Sequence, residues 1–222
     1  MSKLYVVASP IGNLEDVTLR SLRILAEVPV IAAEDTRITS RLLARHGIAG
    51  RRLLAYRAPV ERRGLPAVLR ALEEGDVALL SDAGTPGVSD PGAALIAAAA
   101  EAGHEVVPLP GPSAVAAAVS VSGFKGEGYV FLGYLPRKPG ELRRLLAGIA
   151  AERRPAVAFE SPYRIAKSLQ ALAEVLPGRR LLVARELTKV HEELLRGTAA
   201  EILEALGERA RGEFTVVIEA AG

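Results

Sequence analysis

Short runs of branched aliphatic residues alternate along this chain with longer amphipathic stretches, a rhythm that predicts strands alternating with helices. Leu4 to Ser9, Val30 to Ala33, Arg52 to Tyr56, Val77 to Ser81 and Glu105 to Leu109 read as strands. Between the first two, Leu19, Leu22, Leu25 and Ala26 share one face of a helix that runs to about Val28, with Asp16 or Thr18 as its cap. A helix from about Thr39 to Arg45 closes at Gly47, and Leu65, Val68, Leu69 and Leu72 mark another over Glu61 to Glu74. The run AALIAAAAEAG predicts the next helix, with Asp90 as N-cap and Pro91 at the first helical position. Ala114 to Val121 is small and apolar all round, as expected of a helix packed tightly on a sheet or against a partner.

Phe124 to Gly128 is short and Gly-rich and is followed by a new alternation, so the chain is expected to divide into domains 1–124 and 125–222. The second half predicts strands at Tyr129 to Tyr134, Ala156 to Glu160, Leu181 to Arg185 and Phe214 to Glu219, with an edge strand at His191 to Arg196. Its helices are expected from Gly140 to about Glu152 and from a Ser161-Pro162 start to Leu176. A further short one opens at the capping box Thr198 to Glu201. The expected fold class is α/β in both domains, with a mostly parallel sheet in the first and a mixed sheet in the second.

Polar and Gly/Pro clusters fall directly after the predicted strands: Ser9 to Asn13, Glu34 to Arg37, Ser81 to Thr85, Pro110 to Ser113 and Glu160 to Arg164. Parallel strands end on one edge, so these clusters should converge there, where open α/β sheets bind ligands. The densest is SDAGTPGVSDPG, Ser81 to Gly92, in which Asp82, Thr85, Ser89 and Asp90 supply polar side chains. Gly and Pro also punctuate ordinary turns, and the joint pattern outweighs any single loop. Asp82 suits a ligand amine or hydroxyl, and Ser113 stands where a helix N-terminus presents N–H groups to an anion.

Several chemistries are excluded. With no cysteine there is no disulfide, thiolate zinc site or cysteine nucleophile. No G-x-G-x-x-G follows a strand, and neither a phosphate-binding G-x-x-x-x-G-K-[ST] loop nor a G-x-S-x-G elbow occurs. His46, His104 and His191 share no metal-ligand spacing, so no metal is expected. No apolar run reaches the ~18 residues of a membrane span, and the N-terminal stretch reads as a first strand rather than a secretory signal, so the expected location is cytoplasmic. A net charge of +2 tolerates a polyanionic partner without demanding one.

The segments ASPIGNLEDVTLRSL, AEDTR, SDAGTPGVSDPG, PLPGPSA, FESPYR, VARELTK and GEFTVVIEA, in that order over nearly the whole chain, closely resemble the tetrapyrrole methylase superfamily, the class III S-adenosylmethionine-dependent methyltransferases. Within it they are similar to the branch that methylates a ribose 2′-hydroxyl of a decoding-site cytidine in small-subunit ribosomal RNA. The resemblance implies two α/β domains, a homodimer, and S-adenosylmethionine folded in the cleft between the domains, leaving as S-adenosylhomocysteine. It implies ribosomal RNA or the small ribosomal subunit as partner, and neither membrane nor DNA. Carried over by residue, it puts Pro10 in the floor of the cofactor site and gives Asp82, Gly84 and Thr85 contacts to methionine and ribose, with Ser113 and Ala114 beside them. From the second domain, Phe159 or Glu160, Ala184, and the pair Phe214 and Thr215 would line the adenine side.

The implied reaction is in-line displacement of a sulfonium methyl by a ribose oxygen, in which alignment supplies much of the acceleration. A ribose hydroxyl is a weak acid, so a base or an alkoxide-stabilising cation helps. Asp35 and Glu34 are the candidate bases, and Arg37, Arg164 and Lys189 the candidate cations. Helix capping by Asp35 and a local ion pair at Arg37 are the plain alternatives. Arg37, Arg57, Tyr163 and Arg164 are the candidate substrate contacts. Arg51-Arg52, Arg57, Arg62-Arg63 and Arg137-Lys138 suit phosphates, although a solvated surface explains each pair equally well. Of the tyrosines near the expected mouth, Tyr56, Tyr134 and Tyr163, the first two are expected to be buried in strands. Two competing readings are methylation of a tetrapyrrole precursor on the same fold and a non-catalytic RNA-binding assembly protein.

Overall fold

An apolar run with no polar interruption belongs to a strand covered on both faces. The computed structural model of the chain has this property at β2 (Val30–Ala33) and β4 (Val77–Leu80), in which every residue is buried. It describes residues 1–57, 61–207 and 209–222, without the side chains at 61–63, so the side chains of the Arg62-Arg63 pair lie outside the described residues.

With β1 (Lys3–Val7), β3 (Arg52–Ala55) and β5 (Glu105–Leu109), these strands form a sheet ordered β3-β2-β4-β1-β5. Every pairing in it is parallel. Helices α1 (Leu19–Glu27) and α2 (Thr36–Arg45) pack Ile24, Leu25, Leu42 and Leu43 onto Val7, Ile31, Ala78 and Leu80 on one face. Helices α3 (Glu61–Glu74) and α4 (Ala93–Glu101) pack Val68, Leu72, Leu95 and Ala99 onto Leu4, Val30, Ala32 and Leu79 on the other. Successive residues of a strand therefore serve opposite cores, which is why both faces demand apolar side chains.

Two helix starts differ from the sequence expectation. α2 begins at Thr36 rather than Thr39 because Asp35 caps it, its carboxylate accepting from the Arg37 N–H at 2.8 Å. α4 begins at Ala93, after Gly92, and neither Asp90 nor Pro91 opens it. The Gly87 N–H donates to the Pro91 carbonyl at 3.2 Å, folding the loop back on itself. Gly92 has φ 137°, a conformation that needs glycine, and a Cβ there would stand 3.0 Å from Leu79 Cδ2.

The second sheet is ordered β6-β7-β10-β8-β9, from β6 (Val130–Tyr134), β7 (Ala156–Glu160), β8 (Arg180–Arg185), β9 (Glu193–Thr198) and β10 (Phe214–Ile218). Only β6 and β7 pair in parallel, so this sheet is mixed. α6 (Pro139–Gly148), α7 (Ile165–Val175) and α8 (Ala199–Leu206) bury Leu146, Leu169, Leu172 and Ile202 on one face. The box that starts α8 is complete: Thr198 N–H donates to Glu201 Oε2 at 2.7 Å and Glu201 N–H to Thr198 Oγ1 at 3.4 Å. α7 starts at Ile165 instead of Ser161-Pro162, which form a turn closed by Ile165 N–H to the Ser161 carbonyl at 3.0 Å.

The opposite face of the second sheet is covered by α5 (Ala114–Ser122), whose Val115 and Ala118 pack with Val157, Leu182, Ala184 and Val217. For that reason the chain's two compact units are Met1–Ser113 and Ala114–Gly222, not 1–124 and 125–222. An all-apolar helix goes with the sheet it covers, and the Gly-rich stretch behind it is a loop within the second unit.

Gly111 follows β5 in the first unit, where a Cβ would fall 2.9 Å from the buried Ala8 Cβ. Gly111→Ala is therefore expected to lower stability by roughly 1–3 kcal/mol through overpacking, read as a fall in melting temperature. Ala8→Gly in the same protein should recover part of it.

Candidate active site

All five strands of the first sheet end on one edge. There the neighbours β1 and β4 send their following helices to opposite faces, leaving a crevice above them. A two-residue bridge spans it: Ser9 N–H donates to the Gly84 carbonyl at 2.8 Å and Gly84 N–H to the Ser9 carbonyl at 3.0 Å. Gly84 has φ 74°, which lets the backbone turn here without a side chain over the crevice. Ser9 Oγ donates to the Ser81 carbonyl at 2.9 Å, and Ser81 Oγ to the Gly84 carbonyl at 3.3 Å. Both serines are buried. Sequence reasoning found their clusters but not their structural role, because periodicity does not tell which hydroxyl of a polar cluster turns inward.

Two carboxylates from adjacent strand ends hold each other's segment. Asp35 N–H donates to Asp82 Oδ1 at 2.9 Å, and Asp82 N–H donates to Glu34 Oε2 at 3.1 Å. Burial pushes both acids up from their ordinary values; the N–H bonds pull the other way, and neighbouring carboxylates add to the rise. Asp35 is the opposite case. Its oxygens take Arg37 Nε at 3.0 Å and an Arg37 terminal nitrogen at 2.5 Å, besides the Arg37 N–H. The side-chain bonds from Arg37 hold its carboxyl well below the usual range, and Asp35 raises Arg37 in return. Asp35 is thus both cap and ion-pair partner, while Glu34 is the neighbour with raised proton affinity.

Around these groups Pro10 and Gly84 are buried, Thr85 is half-buried, Arg57 is exposed just beyond β3, and Ser113 immediately precedes α5. In the first unit, then, Pro10, Glu34, Asp35, Arg37, Arg57, Asp82, Gly84 and Thr85 share the carboxyl edge of one sheet.

In the second unit the candidates separate onto two faces. Thr215 pairs with Phe159 on one side and Ala184 on the other, so these three form a row on the face that α5 covers. Phe214 pairs with Glu160 and Arg185 and points the opposite way, 2% exposed in the core of α6, α7 and α8. Strand alternation forces this: adjacent residues cannot both line one surface. Ala114 opens α5 on the first row's face.

Glu160 is fully spent. Its Oε1 accepts from Ser161 N–H at 2.7 Å and from Arg164 at 2.6 Å, and its Oε2 accepts from Ser168 Oγ at 2.5 Å. Arg164 also donates to Ser161 Oγ at 3.1 Å and to the Leu135 carbonyl at 2.9 Å. That guanidinium ties the end of β6 to the turn before α7 and leaves little to offer a substrate. Lys189 is engaged as well, at 2.9 Å from Glu186 and 3.1 Å from Glu213. Burial lowers its proton affinity, but the two carboxylates more than offset this and raise it. The loop carrying it holds Glu186 and Thr188 at φ 52° and 64°, conformations that non-glycine residues adopt only when their surroundings enforce them. Among the described residues no cluster of three or more His, Cys, Asp or Glu could hold a metal ion, and no helix is long and apolar enough to cross a membrane.

Removing Arg164 alone would leave Glu160 charged in a dry core. Arg164→Met is expected to reduce the unfolding free energy by about 3–5 kcal/mol in a denaturant titration. Adding Glu160→Gln should restore a large part of that loss, since the uncompensated charge is its main source.

The family model described as Tetrapyrrole (Corrin/Porphyrin) Methylases matches residues 3–203. A protein named Ribosomal RNA small subunit methyltransferase I from Neisseria meningitidis serogroup B is 48% identical over 97% of this chain and 75% of its own length. One of the same name from Thermotoga maritima is 43% identical over 98% of both chains. Among solved structures, a uroporphyrin-III C-methyltransferase from Thermus thermophilus, complexed with S-adenosyl homocysteine, aligns with a TM-score of 0.68 over 97% of each chain. At 20% identity that likeness speaks for the fold alone. The family-model match over most of the chain and these relatives place it in the tetrapyrrole (corrin/porphyrin) methylase family, among the ribosomal RNA small subunit methyltransferase I proteins.

Proposed function

We propose that this protein transfers a methyl group from S-adenosylmethionine to the ribose 2′-oxygen of a cytidine in the decoding region of small-subunit ribosomal RNA, acting as a homodimer. The observation that carries the reading is the match, along nearly all of the chain, to relatives named for small-subunit ribosomal RNA methylation. The donor set of the first unit fits such a cofactor. Glu34 and Asp82 each keep an oxygen outside their mutual clasp, and two desolvated carboxylates favour a cationic ligand. Gly84, at φ 74°, lets a ligand approach the backbone with no side chain over the crevice.

When bound, S-adenosylmethionine supplies a methyl group already activated on a sulfonium. What remains for the protein is placement, proton removal and charge. Asp82 accepts hydrogen bonds from the cofactor's amine or hydroxyl groups. Glu34 takes the proton of the ribose hydroxyl, a task for which its raised proton affinity suits it better than Asp35, which is held as a stable anion by Arg37. Arg37 turns an 87% exposed side chain to solvent, where it can hold an RNA phosphate or offset charge on the attacking oxygen.

A base works only when deprotonated, and burial lifts Glu34 above its ordinary value of 4.5. Turnover should therefore rise with pH through that elevated value and level off above it. Glu34→Gln keeps the acceptor for Asp82 N–H and removes the base. It is expected to lower kcat by roughly 10²–10⁴ and to abolish the acidic limb, with the Kd for S-adenosylmethionine little changed in calorimetry. Equal losses in kcat and affinity would make Glu34 a binding residue. Mass mapping of small-subunit RNA after incubation with enzyme and cofactor tests the substrate: a methylated cytidine sensitive to 2′-deoxy replacement is expected. No cofactor binding at millimolar concentration would instead favour an assembly protein.

A further inference from the structure

β6 and β7 run parallel, with Phe131 opposite Val157 and Tyr134 opposite Phe159. Between these pairs β6 takes three steps where β7 takes two, so β6 carries a bulge, and Gly133 at φ 67° sits in it. The extra residue changes which way the next side chain points. Leu132 and Leu135 both face the core under α6, α7 and α8. Tyr134 turns to the side of Phe131 and Phe159, with ring centroids 5.5 Å apart for Tyr134–Phe159 and 5.0 Å for Phe131–Phe159. Strict alternation would have put Tyr134 on the face of Leu132; instead its ring is braced edge-on by Phe159 and is 57% exposed.

The turn after β7 carries Tyr163, 92% exposed. Arg164 fastens that turn to the Leu135 carbonyl, the residue next to Tyr134. Two exposed tyrosines thus stand on adjacent segments that a buried ion pair ties together. The strand ends and loops of this unit carry mixed charge. Glu160, Glu186, Glu193 and Glu213 are each ion-paired. Arg137 and Arg211 are exposed and have no side-chain partner among the described residues.

We infer that Tyr134 and Tyr163 form a stacking platform for an unpaired base of the RNA strand, with Arg137 and Arg211 available to its phosphates. The inference rests on the RNA-modifying reading above and deepens it: the substrate is met as a single strand with a base splayed out. Small-ligand sites enclose most of their ligand, whereas these tyrosines are 57% and 92% exposed. They suit a base that stays attached to a chain. Single-stranded RNA is read by aromatic faces beside cations, and the exposed Arg137 follows Tyr134 by three residues.

The test is binding of the full-length protein to a fluorescein-labelled single-stranded RNA oligonucleotide and to its duplex. Tyr163→Ala and Tyr134→Leu should each weaken single-strand binding about tenfold, and Tyr163→Phe and Tyr134→Phe should restore it. Duplex binding and S-adenosylmethionine affinity should not move. Unchanged single-strand affinity in both variants overturns the platform. So does a parallel loss of cofactor affinity, which would assign the rings to the cofactor's adenine, or a dimer-to-monomer shift in sedimentation with RNA binding kept. If the unaltered protein binds cofactor but neither RNA, the RNA reading itself falls.

Discussion

Two carboxylates at neighbouring strand ends should repel, yet Glu34 and Asp82 are held together because each helps to satisfy a backbone amide of the adjoining segment. Those bonds join the loop after β2 to the loop after β4 and so fix the rim of the crevice. Their cost is desolvation, visible in the raised proton affinity of both acids. A ligand that brings positive charge would relieve that cost. The same local arrangement therefore shapes the site and biases it toward a cation.

Asp35 shows how adjacency in sequence can conceal a difference in chemistry. It is next to Glu34, but it lies at the start of a helix, where its carboxylate takes the Arg37 N–H and the Arg37 guanidinium together. A carboxylate so supplied with donors is a stable anion and a weak base. Glu34, desolvated and beside the carboxylates of Asp82 and Asp35, keeps the higher proton affinity.

The second unit repeats the lesson through strand alternation. Phe159, Thr215 and Ala184 form one row, and Glu160 and Phe214 belong to the opposite face. Glu160 and Arg164, both attractive as site residues by type, are instead the internal tie that holds the β6 end and the β7–α7 turn. Where the strand rule is broken, at the β6 bulge, a tyrosine is brought out of the core side. The strained loop at Glu186 and Thr188 is fixed in a similar way: Glu186 Oε1 takes Glu213 N–H at 2.9 Å as well as Lys189.

By itself the sequence determined the alternation of strands and helices, the all-apolar buried strands, the capping box at Thr198, the positions of the strand-end clusters and the family. These are local matters: period, cap chemistry and Gly/Pro placement depend on neighbours along the chain. Only the tertiary structure decided that α5 covers the second sheet, that α4 starts after Gly92 rather than at Asp90, and that Arg164 is internal. It also decided that Tyr134 is exposed and that Glu34 differs from Asp35. Each of those depends on what lies across a sheet or under a helix, and on whether a polar group finds its partner there. Charge, burial and hydrogen bonding at a site are set by residues far apart in the chain, so residue type and spacing nominate the candidates while packing assigns their roles.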